Sequence, residues 1–516
     1  MKNSSVKWFC MISMRRKNVG DKPARDEVVD PTAYRFQSAL IEAIEAHVSA
    51  LRRTRLRALQ YRGADFGRVI AIELYFRLIN DADLRKAFDR QTAGEALPDH
   101  PDAIPISTVA NWVFQHMSGR YRNPLTTLSG WKSYIRERLN EWRTDSREQY
   151  RQQNRHVQRE KESPVVALAL SRRFYLHLLP IMQLSSSDPI WLVPDNQPWV
   201  DELVARGERV ERFPTALEIR PQTPIPGPLT NWDTNLWRYD HFLDVLCRLS
   251  AATVVVAEGN NPDDEILARA AQSAGVRSIC IQQGWSPVVH NGFRRMRFDM
   301  FCVWGEEFAR MLRPFNRRQP FAVTGSHMIA PLERKADPVA RGISVFLQKD
   351  SLLITQAAWI GMLEFVHWCA TTWPDREILV REHPAGPLTA EEIAMIGNLE
   401  NVVFCPAREM PLQEVLDRSE LAVAFFSTTL IEALGRHVVP LIVNITGAPR
   451  YSPDLEAMGV AVEVCDFDQA KIATKNLLGG DISRMRHRIP TIINRFFAAR
   501  RDAALDNIVR LVKKSD

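Results

Sequence analysis

Two short stretches hold the residue types that could do chemistry. One is Arg381-Glu382-His383-Pro384, which follows the apolar, β-branched run REILV. The other is Ser427-Thr428-Thr429, which follows LAVAFF and opens a helical run carrying Glu432. An apolar strand that ends in hydroxyl side chains and then turns into a helix is a way to build an anion site. The free N–H groups of the helix start and the neighbouring hydroxyls all donate toward one point. A carboxylate in the first turns of that helix, Glu432, can accept hydrogen bonds from ribose hydroxyls. The same segment is also an ordinary αβ unit with a Ser/Thr cap, and the His-Pro upstream is what tilts it toward a phosphate site. Lys349, directly after the strand ISVFLQ, is a further positive charge for such a site.

A base for proton removal is sought at other strand ends. Glu258 closes the apolar run TVVVA and precedes Gly259 and Asn260, a place from which a carboxylate reaches a crevice or simply meets solvent. Asp263 and Asp264 follow and read first as caps of the next helix. His290 reads as a surface histidine on a loop. Asp195, in WLVPDN, is a weaker candidate on the same strand-end logic, and His327 and His437 remain ambiguous. No CxxC pair, HExxH motif or strand-end DxD occurs, so the preferred chemistry needs no metal, with basic residues and helix dipoles meeting the phosphate charge.

The elements that must position these groups follow a βα rhythm. From residue 163 to 332 apolar strands alternate with amphipathic helices, and the rhythm repeats from 342 to 480 after the charged segment ERKADPVARG. That is the pattern of parallel sheets covered by helices on both faces. Such sheets take ligands at the carboxyl ends of their strands. Residues 1–160 read as mostly helical, and 481–516 as basic helices that pack back on the N-terminal domain.

Net charge is +6, but residues 1–160 alone hold 28 Lys+Arg against 19 Asp+Glu, leaving −3 for the rest. A basic front suits an anionic partner such as a membrane surface, or a plain solvated helical face. Aromatics are not interleaved with the basic runs, which argues against nucleic acid. The seven cysteines are scattered and sit in apolar runs, the usage of reduced core thiols in a cytosolic protein. No uncharged run is long enough to span a bilayer.

Taken in order, IQQGWSP, FDMFCVWGEEF, VTGSHM, REHP and STTLIEALGRHVVP resemble the GT-B glycosyltransferases of bacterial surface-polysaccharide synthesis. Among these are capsule transferases of the Kdo and sialic-acid types and the teichoic-acid glycerophosphotransferases. The resemblance spans about residues 163–480 and leaves 1–160 unexplained. It implies an α/β fold of GT-B type, two Rossmann-like domains facing a cleft, behind a helical extension. It implies a nucleotide-sugar donor, CMP- or UDP-linked, and a glycan or lipid-linked glycan acceptor, with the protein cytoplasmic and in peripheral contact with the inner membrane.

Carried over by position, His383 faces the donor phosphates as a catalytic group beside Glu258, and Arg381 adds charge to the same site. Ser427, Thr428 and Thr429 hold the pyrophosphate, Glu432 binds ribose, and Gly325 gives close backbone approach at the interdomain hinge. Gln283 and Gly284 stand on the acceptor side with Asp263. Gln283 departs from the pattern, because the teichoic-acid enzymes have a histidine there and glutamine cannot act as a base. Polyol-phosphate transfer, nucleotide-sugar epimerisation and a non-catalytic GT-B-like scaffold are the alternatives.

Overall fold

The computed structural model describes residues 33–54, 59–81, 84–86, 88–89, 164–214, 232–329, 341–348, 353–383, 386–407, 409–448 and 450–513. Lys349, Pro384 and the basic stretch 98–160 lie outside the described residues. The chain divides into two compact units, one of residues 36–329 with 494–516, the other of 330–493 with residues 33–35.

The first unit begins with helix α1 (Ala33–Thr54), a small hairpin of β1 (Gln60–Tyr61) and β2 (Ala64–Asp65), and helix α2 (Gly67–Leu78). Its sheet then runs β3 (Val165–Leu168), β4 (Ile190–Pro194), β5 (Arg209–Phe213), β6 (Thr253–Ala257), β7 (Arg277–Ile281), β8 (Met300–Val303) and β9 (Phe321–Val323). Between them lie α3 (Arg172–Ser185), α4 (Pro198–Ala205), α5 (Trp232–Arg248), α6 (Pro262–Ala274) and α7 (Glu306–Leu312). The spatial order is β5-β4-β3-β6-β7-β8-β9, and every neighbouring pair is parallel. Strands such as VVAL, IWLVP and TVVVA are buried along their whole length, because helices cover both faces; this is why they read as unbroken apolar runs.

Helix α6 shows how local sequence sets an element. Asn261 is its N-cap, Pro262 fills the first turn, and the Asp264 carboxylate accepts from the Asn261 N–H at 3.2 Å. Gly275, at φ 67°, closes the far end in the left-handed conformation. The cap is therefore Asn261 with Asp264, not the Asp263–Asp264 pair expected from sequence.

The front of the chain is built into this unit. Arg68 on α2 is buried and pairs with Glu265 on α6, which also pairs with Arg269. The same guanidinium donates to the carbonyls of Gly259 at 2.7 Å and Gly292 at 2.5 Å, and through Nε to that of Arg294 at 2.9 Å.

The second unit holds β10 (Gly342–Phe346), β11 (Ile378–Arg381), β12 (Val402–Phe404), β13 (Ser419–Ala424), β14 (Val439–Val443) and β15 (Val462–Val464) in the order β12-β11-β10-β13-β14-β15, again all parallel. Its helices are α8 (Gln356–Thr372), α9 (Ala390–Ile396), α10 (Leu412–Asp417), α11 (Thr429–Leu434), α12 (Phe467–Asn476) and most of α13 (Ile482–Phe496). Numbered along each unit, both sheets follow the order 3-2-1-4-5-6, with the first unit adding a seventh strand. That is the doubly wound Rossmann-like arrangement, and the chain reverses direction across the sheet between the first and fourth strands. The α/β class with two Rossmann-like units is as expected from the sequence.

The C-terminal residues divide differently from the expectation. Residues 482–493 belong to the second unit, where Arg486 donates to the His437 carbonyl at 3.0 Å. Only 494–516 return to the first unit. There Ile508 and Val512 are buried in the same apolar cluster as Trp191, Val255 and Leu178. Gly325, expected beside the donor at an interdomain hinge, is part of this anchorage. At φ 88° its backbone lies against Ala499, and a Cβ would sit 2.2 Å from the Ala499 carbonyl oxygen. The next residue, Ser326, donates its N–H to that oxygen at 3.0 Å. Gly325→Ala should therefore lose about 1–3 kcal/mol to overpacking and about 1–2 kcal/mol more to the left-handed backbone. A fall in the urea midpoint at unchanged m-value checks this. No helix among the described residues is long and apolar enough to cross a membrane.

Candidate functional site

In each unit several of the candidate polar residues follow the carboxyl ends of strands around the point where the strand order reverses. In the second unit that point lies between β10 and β13. Gln348, at the end of β10, bridges them with a two-way amide clamp. Its Oε1 accepts from the Phe426 N–H at 3.0 Å and its Nε2 donates to the Phe426 carbonyl at 3.2 Å. This fixes the backbone just before Ser427. Sequence reasoning chose the neighbouring Lys349 instead; a polar residue closing an apolar strand was the signal for Gln348.

Ser427, Thr428 and Thr429 follow directly and are half-buried. The Ser427 hydroxyl accepts from the Thr429 N–H at 3.2 Å, and its carbonyl accepts from the Tyr451 hydroxyl at 3.1 Å. The helix they open, α11, has only six residues and ends at Leu434, with Gly435 as its C-cap. Its dipole is correspondingly small, so the hydroxyl and N–H donors of the turn matter more than the helix. Glu432 is half-buried in that first turn.

Arg381 ends β11 and is half-buried, donating to the Met410 carbonyl at 2.7 Å. Burial pulls its pKa down, and Cys405 and the Glu432 carboxylate oppose the fall, so Arg381 and Glu432 are within electrostatic reach of one another. The structure thus brings Arg381, Ser427–Thr429 and Glu432 to one sheet edge. His383 lies two residues beyond Arg381 and is exposed, its carbonyl accepting from the Gly386 N–H at 2.9 Å. Glu382 shapes the same loop by accepting from the Leu388 N–H at 2.8 Å.

In the first unit the reversal lies between β3 and β6. Glu258 follows β6 and adopts φ 70°, the left-handed region that few side chains occupy. Its N–H donates to the Ile281 carbonyl at 2.8 Å, so the strand ladder holds it in that strained conformation. Burial raises the Glu258 pKa, and the Arg173 guanidinium opposes the rise. Arg173 stands in the first turn of α3, behind the Ser171 cap, and donates to Gln283 Oε1 at 2.7 Å. Three strand ends, those of β3, β6 and β7, therefore supply a guanidinium, a carboxylate and an amide. Arg173 escaped sequence reasoning, although its place one turn after the first strand of a Rossmann-like unit was a readable signal.

Other candidates do not join these groups. Asp263 pairs with Arg238 at 2.7 Å and ties α5 to α6, so it is a helix cross-link rather than an acceptor-side group. Asp264 is buried, and burial pushes its carboxyl up to about 8. Gly284 is buried, its carbonyl taken by the Gln282 amide at 3.2 Å. His290 is not a surface histidine. It is buried, stacked on Tyr75 with ring centroids 4.6 Å apart, and burial pulls its pKa down to about 3. It stays neutral near pH 7 and is no general acid there. His327 hydrogen-bonds the His177 carbonyl at 2.8 Å, and Asp195 is exposed. Among the described residues no three His, Cys, Asp or Glu side chains come together as a metal would require.

No protein-family model matches the sequence, and no curated protein does. Several solved structures are similar in chain trace. One is UDP-GlcNAc 2-epimerase from Neisseria meningitidis bound to UDP-GlcNAc, at 12% identity and TM-score 0.49, covering 68% of this chain and 100% of that one. Another is Acinetobacter baumannii MurG, at 11% identity and TM-score 0.45, covering 69% and 100%. A third is Anabaena HepE in complex with UDP and glucose, at 10% identity and TM-score 0.43, covering 68% and 98%.

Proposed function

We propose that the chain is an inverting, metal-independent glycosyltransferase of GT-B type that moves a sugar from a CMP- or UDP-linked donor to a surface-polysaccharide acceptor. One observation carries this reading. The two Rossmann-like units bear opposite chemistry at corresponding strand edges, a phosphate-suited set on one and a carboxylate of raised pKa on the other.

The reading assigns the nucleotide to the second unit. Arg381 meets phosphate charge, Ser427, Thr428 and Thr429 donate hydrogen bonds to the phosphates, and Glu432 accepts from the ribose hydroxyls. His383 adds a donor on the exposed loop after β11. It assigns proton removal to Glu258 on the first unit. As the acceptor oxygen bonds to the anomeric carbon, the bond from that carbon to phosphate oxygen breaks. Glu258 takes the hydroxyl proton, and the nucleotide leaves with its electron pair. A single displacement inverts the anomeric centre. Arg173 and Gln283 then hold the acceptor beside Glu258. The basic residues at the front of the chain suit a lipid-linked acceptor at the inner face of a membrane.

Calorimetric titration with CMP, UDP and GDP tests the assignment. One nucleotide should bind, and Glu432→Ala should weaken it about tenfold, or about 1.4 kcal/mol. Full affinity in that variant would overturn the donor site. Nucleotide release that requires added glycan supports transfer, whereas conversion of the free nucleotide sugar without acceptor supports epimerisation instead.

A further inference from the structure

The first unit contains a cavity of about 540 Å³ that the proposed reaction does not use. It is walled by α1, β2 with the start of α2, α6 and the segments leading into β8 and β9. Eight arginines and four carboxylates line it, a balance of 8 − 4 = +4.

The pairing within it is unequal. Arg68 and Arg269 share Glu265 at the buried floor. On the walls Arg52 pairs with Asp65 at 3.0 Å, Arg294 with Glu42 at 2.6 Å and Arg295 with Glu45 at 2.6 Å. Those contacts use all four carboxylates. Arg297, Arg317 and Arg318 remain, with no ion-pair or hydrogen-bond partner among the described residues. Partial burial lowers the Arg297 pKa, nearby Arg269, Arg318 and Arg52 add to the fall, and the Asp65 carboxylate opposes it. Concentrating like charge without partners is unfavourable unless something negative relieves it.

Arg297 lies three residues before β8, and Arg317 and Arg318 lie shortly before β9. They therefore enter from the amino-terminal side of these two strands, while Arg68 on the cavity floor reaches the Gly259 carbonyl next to Glu258. Guanidinium groups match phosphate oxygens in paired hydrogen bonds better than ammonium groups do. Phe315 adds a half-exposed aromatic wall, with the Arg294 guanidinium 4.5 Å from its ring centre.

We infer that this cavity is a second anion site, separate from the donor site, which takes a ligand carrying two or more phosphate groups through Arg297, Arg317 and Arg318. Its size suits a phosphorylated solute or the head group of a phospholipid.

Pyrophosphate titration by calorimetry, on the full chain in low salt, tests the inference. The natural chain, Arg297→Ala/Arg317→Ala/Arg318→Ala and Arg381→Ala are compared, because pyrophosphate also suits the donor site. The expected result is a binding event that Arg381→Ala keeps and the triple variant loses by about tenfold or more, and that weakens as salt is raised. Because the three arginines are exposed and unpaired, the triple variant should not lose thermal midpoint, and it should keep its nucleotide affinity. If every pyrophosphate event disappears in Arg381→Ala, or survives in the triple variant, the inference is overturned. Sedimentation with vesicles of phosphatidylglycerol, with and without pyrophosphate, separates the sources. Binding to vesicles that pyrophosphate displaces, and that the triple variant lacks, assigns the head group; pyrophosphate binding without vesicle binding assigns a solute. Failure of the donor reading would leave this event untouched, since it is defined in the Arg381→Ala background.

Discussion

Glu258→Gln is expected to lower the transfer rate by about 10²–10⁴-fold, the usual contribution of a positioned general base, while raising the thermal midpoint at pH 8. The two effects share one cause. Burial disfavours the charged carboxylate, so the folded protein binds a proton there more tightly than the unfolded chain does. A raised folded pKa means that the stability contributed by this group is complete below the unfolded value. It is lost as pH rises through the folded value. Glutamine has no charge to bury, so the variant should gain stability over the natural protein at pH 8, and the gain should vanish near pH 4. Thermal melts at the two pH values, beside a rate measurement at each, check the pair of effects. If activity falls without any gain in stability at pH 8, Glu258 acts from a solvated position. If stability rises while transfer is unchanged, the base lies elsewhere.

Arg68→Ala carries the largest expected loss of stability. Arg68 and Glu265 are both buried, and removing one partner strands the other charge away from water, at a cost of about 3–5 kcal/mol. Arg269 alone would then face Glu265, and the carbonyls of Gly259, Gly292 and Arg294 would lose a donor. Replacing the whole set, Arg68→Met with Glu265→Leu and Arg269→Leu, removes the buried charge and should recover part of the loss but not the carbonyl bonds. Urea unfolding of the single and triple variants reads both outcomes. A single variant within about 1 kcal/mol of the natural chain would mean that α2 is only loosely attached.

Much of the architecture was legible because strands covered on both faces need apolar residues at every position. Runs such as TVVVA, LAVA (the apolar part of β13) and VPLIV announce themselves for that reason. Strand ends were legible too, since Glu258, Arg381 and Ser427 each interrupt such a run. The rest depends on partners distant in sequence. Arg68 and Glu265 stand 197 residues apart, and nothing local to either shows the pairing. His290 looked like a loop residue because Tyr75, the ring that covers it, lies in the helical front. Asp263 and Asp264 are adjacent acidic residues at a helix start, yet one caps its own helix and the other holds Arg238 on α5. Only the direction of the side chains separates them.

The anchorage of Ala499 against Gly325 also concerns the order in which the molecule is made. The first unit takes in residues from both sides of the second, and its apolar cluster includes Ile508 and Val512. On the ribosome, residues 36–329 emerge early but cannot seal that cluster until the last helix has been synthesised. Residues 330–493 emerge with all their own strands and can fold first. The first unit is thus completed only after the strands of the second have been made, because its apolar cluster needs Ile508 and Val512.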